Sequence, residues 1–172
     1  MLFRAAALAL AMLGSPLPGA AQQTGPDAGE SFLQRNRAAK GVVETASGLQ
    51  YEVLVPGSGP EKPTDADVAL VMYEGRLLDG TVFDKSEQPT PLQVTGVVPG
   101  FSEALKLMPK GAKYRFWIKP DLAYGNEASG PIPAHSVLIF DVDLIDFLPE
   151  DVIRQMMLQQ QAGEAGPAPP RP

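Results

Sequence analysis

The chain has no cysteine and only one histidine and one tryptophan in 172 residues. Without cysteine it can form no disulfide, thiolate nucleophile or cysteine-ligated zinc site, so it must be stabilised by its core alone. With His135 as the sole imidazole, a His-rich metal site lacks ligands. A Ser–His pair has only the adjoining Ser136, which a strand would put on the opposite face. Basic residues are scattered and the formal net charge is −6, so the clustered Lys/Arg footprint of a nucleic-acid binder is missing. No Gly-rich phosphate loop leads from a strand into a helix, no residues have metal-ligand spacing, and no internal repeat is present. What remains is a β-rich chain with well-placed aromatics and no nucleophile–base pair, an inventory suited to gripping an apolar group without proton or acyl chemistry.

The N-terminus has the form of an export signal. Arg4 gives a positive start, Ala5–Leu13 is an apolar run far too short to span a bilayer, and Gly14–Pro18 breaks it. Gly19, Ala20 and Ala21 supply the small residues of a cleavage site, so residues 1–21 are expected to be removed near Ala21. The mature protein is then periplasmic or secreted. With no cysteine to carry lipid, no stable membrane anchor is expected.

Gln22–Glu30 is polar and is expected to be a flexible leader, and Ser31–Lys40 a short helix capped by Ser31 and ended by Gly41. From Val42 the period is two. Leu49, Tyr51, Val53 and Val55 alternate with Gln50, Glu52 and Leu54 until Pro56–Pro60 stops the strand. Val68–Leu78 is more apolar, as suits a central strand, and Asp79-Gly80 turns it back into Thr81–Asp84. Pro91–Val94 is a short edge strand. Phe101, Ala104, Leu105 and Met108 then form one helical face, ended by Pro109-Lys110-Gly111. Ala112–Lys119 alternates with Tyr114, Phe116 and Ile118 on one side and the charged residues with Trp117 on the other. After a loop, Ser136–Phe147 places Leu138, Phe140, Val142 and Leu144 opposite Asp141 and Asp143. The fold class is α+β, an antiparallel sheet with one short helix packed on it. The domain covers residues 42–148, leaving 149–172 as a helix over Pro149–Gln161 followed by a Pro-rich tail.

Asp65/Asp67 and Asp141/Asp143 each share a face if in strands, which allows a paired-carboxylate hydrolase or metal site; polar positions on half-buried strands are the plainer reading. Asp84 follows Phe83 at the end of a hairpin strand and is open to being an isolated buried acceptor or a surface carboxylate. Phe83 and Phe140 suit a core. Tyr124, in Ala-Tyr-Gly beside a Gly/Pro-rich loop, is a poorer core residue because its hydroxyl needs a partner when buried.

From Val42 to Phe147 the chain resembles the FKBP-type peptidyl-prolyl cis/trans isomerases, most closely the secreted bacterial, macrophage-infectivity-potentiator-like branch. The pieces that match in order and spacing are Ser47–Tyr51, Tyr73–Gly75, Gly80–Asp84, Val97–Phe101, Leu122–Gly125, Ile132-Pro133 and Phe140–Val142. The resemblance implies a strongly twisted antiparallel sheet wrapped around one short helix, with an apolar cavity for substrate proline between them. It implies catalytic roles for Phe83, Asp84, Val98 and Tyr124. It puts Tyr73, Leu92, Val97, Phe101, Ile132 and Phe140 around the substrate. No cofactor and no metal is implied. The partners would be unfolded or proline-containing exported polypeptides, and macrolide inhibitors of the family. Phe101 stands where the family usually has Trp as the pocket floor, Leu92 replaces a frequent wall aromatic, and the loop after Gly125 is about one residue short. The alternative is a non-catalytic periplasmic chaperone or client-binding module that uses the same cavity. The larger secreted relatives dimerise through a long N-terminal helical domain, of which only a short helix is expected here.

Overall fold

A computed structural model describes residues 26–164. The export signal expected over residues 1–21, and the tail beyond Glu164, lie outside the described residues. Three helices, α1 (Pro26–Asn36), α2 (Pro99–Leu107) and α3 (Glu150–Glu164), accompany seven strands. The strands are β1 (Val42–Glu44), β2 (Gln50–Pro56), β3 (Asp67–Arg76), β4 (Val82–Lys85), β5 (Thr90–Gln93), β6 (Ala112–Ile118) and β7 (Leu138–Pro149).

All pairings are antiparallel, in the order β1-β2-β6-β7-β3-β4, with β5 also on β3. The apolar run in β3 makes it the central strand. It pairs with β7 along its whole length, from Asp67↔Pro149 to Arg76↔Ile139. On its other edge it pairs first with β5 and then, past Val71, with β4. The expected hairpin closes through Asp79-Gly80, where the Leu77 N–H donates to Thr81 O and the Gly80 N–H to Leu77 O.

α2 forms where the periodicity predicts it, with Pro99 in its first turn, where a missing N–H costs nothing. Its buried face of Phe101, Ala104 and Leu105 meets Ala69, Val71, Phe116, Ile118, Phe140, Val142 and Leu144 from the sheet in one core. Gly100 allows the close approach: a Cβ there would lie 2.4 Å from Ile118 Cγ2.

Three expectations need correction. First, α1 covers Pro26–Asn36, not Ser31–Lys40, so Ser31 is mid-helix and the leader is helical from Pro26 onward. Pro26 and Asp27 suit a first turn, and Gly29, Phe32, Leu33 and Asn36 fall on one at least half-buried face. Second, the outer side of the sheet is not polar throughout. Gln50, expected with the solvent-facing residues, is 1 % exposed, and its register partner Trp117 is also buried. The cause is α1: the Gln50 side-chain amide donates to Leu33 O, and Asn36 Nδ2 donates to Gln50 Oε1. Third, the alternation read through β2 fails at its far end, where Val53 and Val55 are exposed. A register shift against β6 between these two residues breaks the period.

The middle of the outer face carries a row of charge across the strands. Arg115 grips Asp141 with both Nε (2.6 Å to Oδ1) and a terminal nitrogen (2.8 Å to Oδ2). Arg76 reaches the same carboxylate at 2.6 Å and Glu74 at 2.9 Å. Asp141 is therefore the hub of an ion-pair network, more than a plain surface position. Burial alone would raise its pKa, but the hydrogen bonds and charges of Arg115 and Arg76 outweigh that and hold it below the usual carboxylate value. Asp67 caps a turn by accepting from the Thr64 N–H and hydroxyl, and Asp65 pairs with Lys106. The carboxylate pairs are thus structural, and among the described residues no group of three or more His, Asp or Glu could hold a metal ion.

Candidate active site

Four rings meet where the β3–β4 hairpin, β7 and the start of α2 converge. Phe140 is at the centre. Phe101 lies edge-on to it at 4.8 Å and Phe83 at 5.4 Å, with Tyr73 tilted at 6.2 Å. Tyr73 and Phe101 are themselves edge-to-face at 5.9 Å. Each favourable aromatic pair contributes about 0.5–1.5 kcal/mol beyond its burial, so the cluster is held in shape by its own contacts. Phe101 is buried, 4 % exposed.

Gly75 makes this arrangement possible, and it went unassigned in the sequence. It pairs with Phe140 on one side and Asp84 on the other. A Cβ at Gly75 would sit 2.7 Å from both the Phe140 and Phe83 rings. A lone glycine inside an apolar strand pattern is the signal that marks such a close approach.

Asp84 is exposed, which decides between the two readings left open for it. Its Oδ2 accepts from the Tyr73 hydroxyl at 2.8 Å. Burial, reinforced by that hydrogen bond and the charge of Asp84, pushes the Tyr73 pKa up to about 12. Tyr73 is thus a fixed neutral donor, and Asp84 a carboxylate at the rim of an apolar cluster.

Four of the five remaining predicted residues pack with the core. Leu92, Val97 and Val98 are half-buried against the same core, and Ile132 is buried within it. Val98 immediately precedes α2, accepting at its carbonyl from the Phe101 and Ser102 N–H groups, while its own N–H meets no acceptor among the described residues. Ile132 is held by a reciprocal pair of backbone hydrogen bonds with Ser129. Tyr124 is separate: it is 41 % exposed, on the loop after the short 3-10 turn Pro120–Leu122. The structure brings Tyr73, Phe83, Asp84, Phe101 and Phe140 into contact and leaves Tyr124 reaching into solvent. Ser136 and His135 form no nucleophilic pair, since the Ser136 hydroxyl donates to Pro133 O. A polar depression of about 310 Å³, lined by Met72, Tyr73, Glu74, Lys85, Lys113 and Asp143 among others, opens on the charged outer face.

The family model for FKBP-type peptidyl-prolyl cis-trans isomerase matches residues 59–145, and the model for the domain amino-terminal to it matches residues 19–53. The FKBP-type peptidyl-prolyl cis-trans isomerase FkpA of Aeromonas hydrophila is 44 % identical over 120 residues, covering 68 % of this chain and 44 % of that protein. The outer membrane protein MIP of Legionella longbeachae is 44 % identical over 121 residues, 68 % of this chain and 52 % of its own length. The chain therefore spans about half the length of the curated relatives it matches. A peptidyl-prolyl cis-trans isomerase crystal structure from Pseudomonas syringae pv. tomato superposes with a TM-score of 0.67 at 40 % identity, covering 70 % of this chain and 91 % of that one. FkpA from Escherichia coli gives the same TM-score and identity, with 70 % and 58 % covered.

Proposed function

The chain belongs to the FKBP-type peptidyl-prolyl cis-trans isomerase family, and from that premise we propose that it accelerates X-Pro isomerisation during the folding of exported polypeptides. The observation that carries this reading is the cluster of Tyr73, Phe83, Phe101 and Phe140, closed below by Phe101 and edged by a single carboxylate.

Rotation about an X-Pro bond is opposed by amide resonance, with a barrier of about 20 kcal/mol and uncatalysed times of tens of seconds or more. The twisted amide loses C–N double-bond character and is less dipolar than the planar one. A desolvated apolar site therefore favours the twisted form over the planar form, and no general acid or base is required. In this reading Phe83, Phe101, Phe140, Val97, Leu92 and Ile132 bound the proline. Val98 N–H, with no acceptor of its own among the described residues, donates to a substrate carbonyl. The hydroxyl of Tyr124, a residue 41 % exposed on its loop, donates to a second. Asp84 sets the field at the rim, and Tyr73 holds its carboxylate in place.

Residues 42–148 form the proposed catalytic domain, and the macrolide inhibitors of the family would compete for the same cavity. Export of the chain rests on residues 1–21. One relative is named an outer membrane protein, and among the described residues no helix is long and apolar enough to cross a membrane. The test is refolding of a proline-limited protein with catalytic amounts of the chain. Acceleration of the slow phase supports the proposal. A higher yield at unchanged rate would mean that the cavity only holds clients.

A further inference from the structure

We infer that α1 is a positioning element for the active site, acting through the loop that carries Tyr124 and Ile132, so that the catalytic unit includes α1 as well as residues 42–148. The inference rests on the isomerase reading above.

α1 stands on the domain at two places. Toward its C-terminal end, Leu33 O accepts from Gln50 Nε2 at 2.9 Å, and Asn36 Nδ2 donates to Gln50 Oε1 at 2.9 Å. Gln50 Nε2 also donates to Glu44 Oε2, so the buried amide is fully occupied in tying α1 to β1 and β2. A buried amide of this kind is costly to leave unpaired, which makes the docking specific.

The second footing is Gly29. A Cβ there would lie 3.0 Å from Val137 Cγ2 and 3.8 Å from His135 O, so the helix backbone lies directly against the segment His135–Val137. That segment is the foot of the loop 123–137. His135 has a φ of +59°, the one non-glycine residue with positive φ among the described residues. Such a conformation costs of order 1 kcal/mol and persists only where neighbours impose it. From there the connection to the site is short. The His135 N–H donates to Gly125 O at 2.9 Å, next to Tyr124, and the Ser136 hydroxyl donates to Pro133 O at 2.7 Å, next to Ile132. Within the loop, Gly125 N–H and Ala123 N–H both donate to Pro120 O, and Ser129 and Ile132 exchange backbone hydrogen bonds. The loop is thus braced internally by its own backbone and fixed from outside where α1 presses on its foot. A shift of α1 moves Tyr124 and Ile132 together, while the aromatic cluster on β3, β4, β7 and α2 stays in place.

The test uses the full chain. Gly29→Val puts a branched side chain against Val137 without weakening the helix, since Val is the better helix former. We expect kcat/KM on X-Pro peptides to fall roughly three- to tenfold, as suits a misplaced substrate-facing loop, with amide NMR signals of Gly125 and Ile132 shifted and those of Gly75 and Phe140 unmoved. Adding Val137→Ala, which makes room, should restore both. Asn36→Ala loosens the other footing without added bulk and serves if Gly29→Val does not fold. A cycle of Asn36→Ala with Ile132→Ala should be non-additive in kcat/KM and additive in thermal stability. Wild-type kcat/KM and unmoved loop signals in the folded variants would overturn the inference while leaving the isomerase reading intact. An inactive wild-type chain would overturn that reading, and the catalytic role of α1 with it.

Discussion

The Tyr73 hydroxyl donates to Asp84 Oδ2 at 2.8 Å, joining β3 to β4 at the rim of the aromatic cluster. Because the folded pKa of Tyr73 is raised to about 12 from 10.0, its contribution to stability is fully present below pH 10 and is lost as pH rises through about 12. Alkaline titration followed by tyrosinate absorbance should show a step near pH 12 that Tyr73→Phe abolishes. Isomerase activity should have no alkaline limb from this residue below pH 10. A Tyr73 step near 10 would mean that neither the burial of the ring's hydroxyl nor its hydrogen bond to Asp84 is held in solution.

Removing Asp84, or Phe83 beside it, bears on catalysis. Phe83→Ala or Asp84→Ala should lower kcat/KM by an order of magnitude or more, about 1.4 kcal/mol or above in transition-state stabilisation. Phe83 also packs on Phe140, so part of its effect will be seen as a lower Tm, whereas the exposed Asp84 should alter activity with little change in Tm. Full activity in the folded double variant would place the site elsewhere.

Gly75→Ala tests the packing beneath the rings. The added Cβ would fall 2.7 Å from Phe83 and Phe140, so one ring must leave its edge-to-face position. Overpacking of this kind typically costs about 1–3 kcal/mol. Thermal unfolding should register it, and kcat/KM should fall beyond what the stability change explains. A variant as stable and active as the parent would show that the two rings are mobile over this glycine.

These relations were unevenly legible in the sequence. β3, β7 and α2 are readable because each buries a face with its natural period: an almost continuous apolar run for a central strand, alternation for β7, and i, i+3, i+4, i+7 for α2. Tyr73, Phe83, Phe101 and Phe140 could be grouped only through the family resemblance, because they lie on four different elements that no local pattern links. Local pattern fails where tertiary contact decides. Gln50 looks like a surface residue until α1 covers it, and Val53 and Val55 look like core until a register shift exposes them. α1 was obscured in part by Gly29, whose lack of a side chain reads as weak helix propensity, although its backbone lies close against Val137 in the structure.

Asp141 gives an acid-stability prediction. Its folded pKa lies below the ordinary carboxylate value, so the network stabilises the fold above about pH 4 and that contribution is lost as pH falls through the lower folded pKa. Asp141→Asn removes the charge and one of the two acceptor oxygens shared by the half-buried Arg115 and Arg76, and should cost about 1–3 kcal/mol at neutral pH. The difference between the two proteins should shrink as the pH is lowered toward 3. A gap that stays constant with pH would mean that Asp141 contributes by packing and not by charge.

Phe101 is the clearest departure from the pattern the family resemblance implies, which puts Trp at this position. Its ring is buried and held edge-on by Phe140 at 4.8 Å and by Tyr73 at 5.9 Å, so it offers less surface than an indole and has no N–H to donate. Phe101→Trp should tighten binding of the family's macrolide inhibitors by about 0.5–1.5 kcal/mol, provided the indole keeps the edge-on contacts. Turnover should change much less, because the apolar character that favours the twisted amide is already present. The opposing effect is overpacking: Gly100 next door already sits tightly against Ile118, and an enlarged floor costs about 1–3 kcal/mol if α2 cannot yield. The two effects separate experimentally, since overpacking lowers Tm in the absence of inhibitor whereas a better floor changes only the inhibitor Kd. Titration of both proteins at matched stability decides between them. An unchanged Kd in a fully stable Phe101→Trp variant would mean that residue 101 does not face the bound ring.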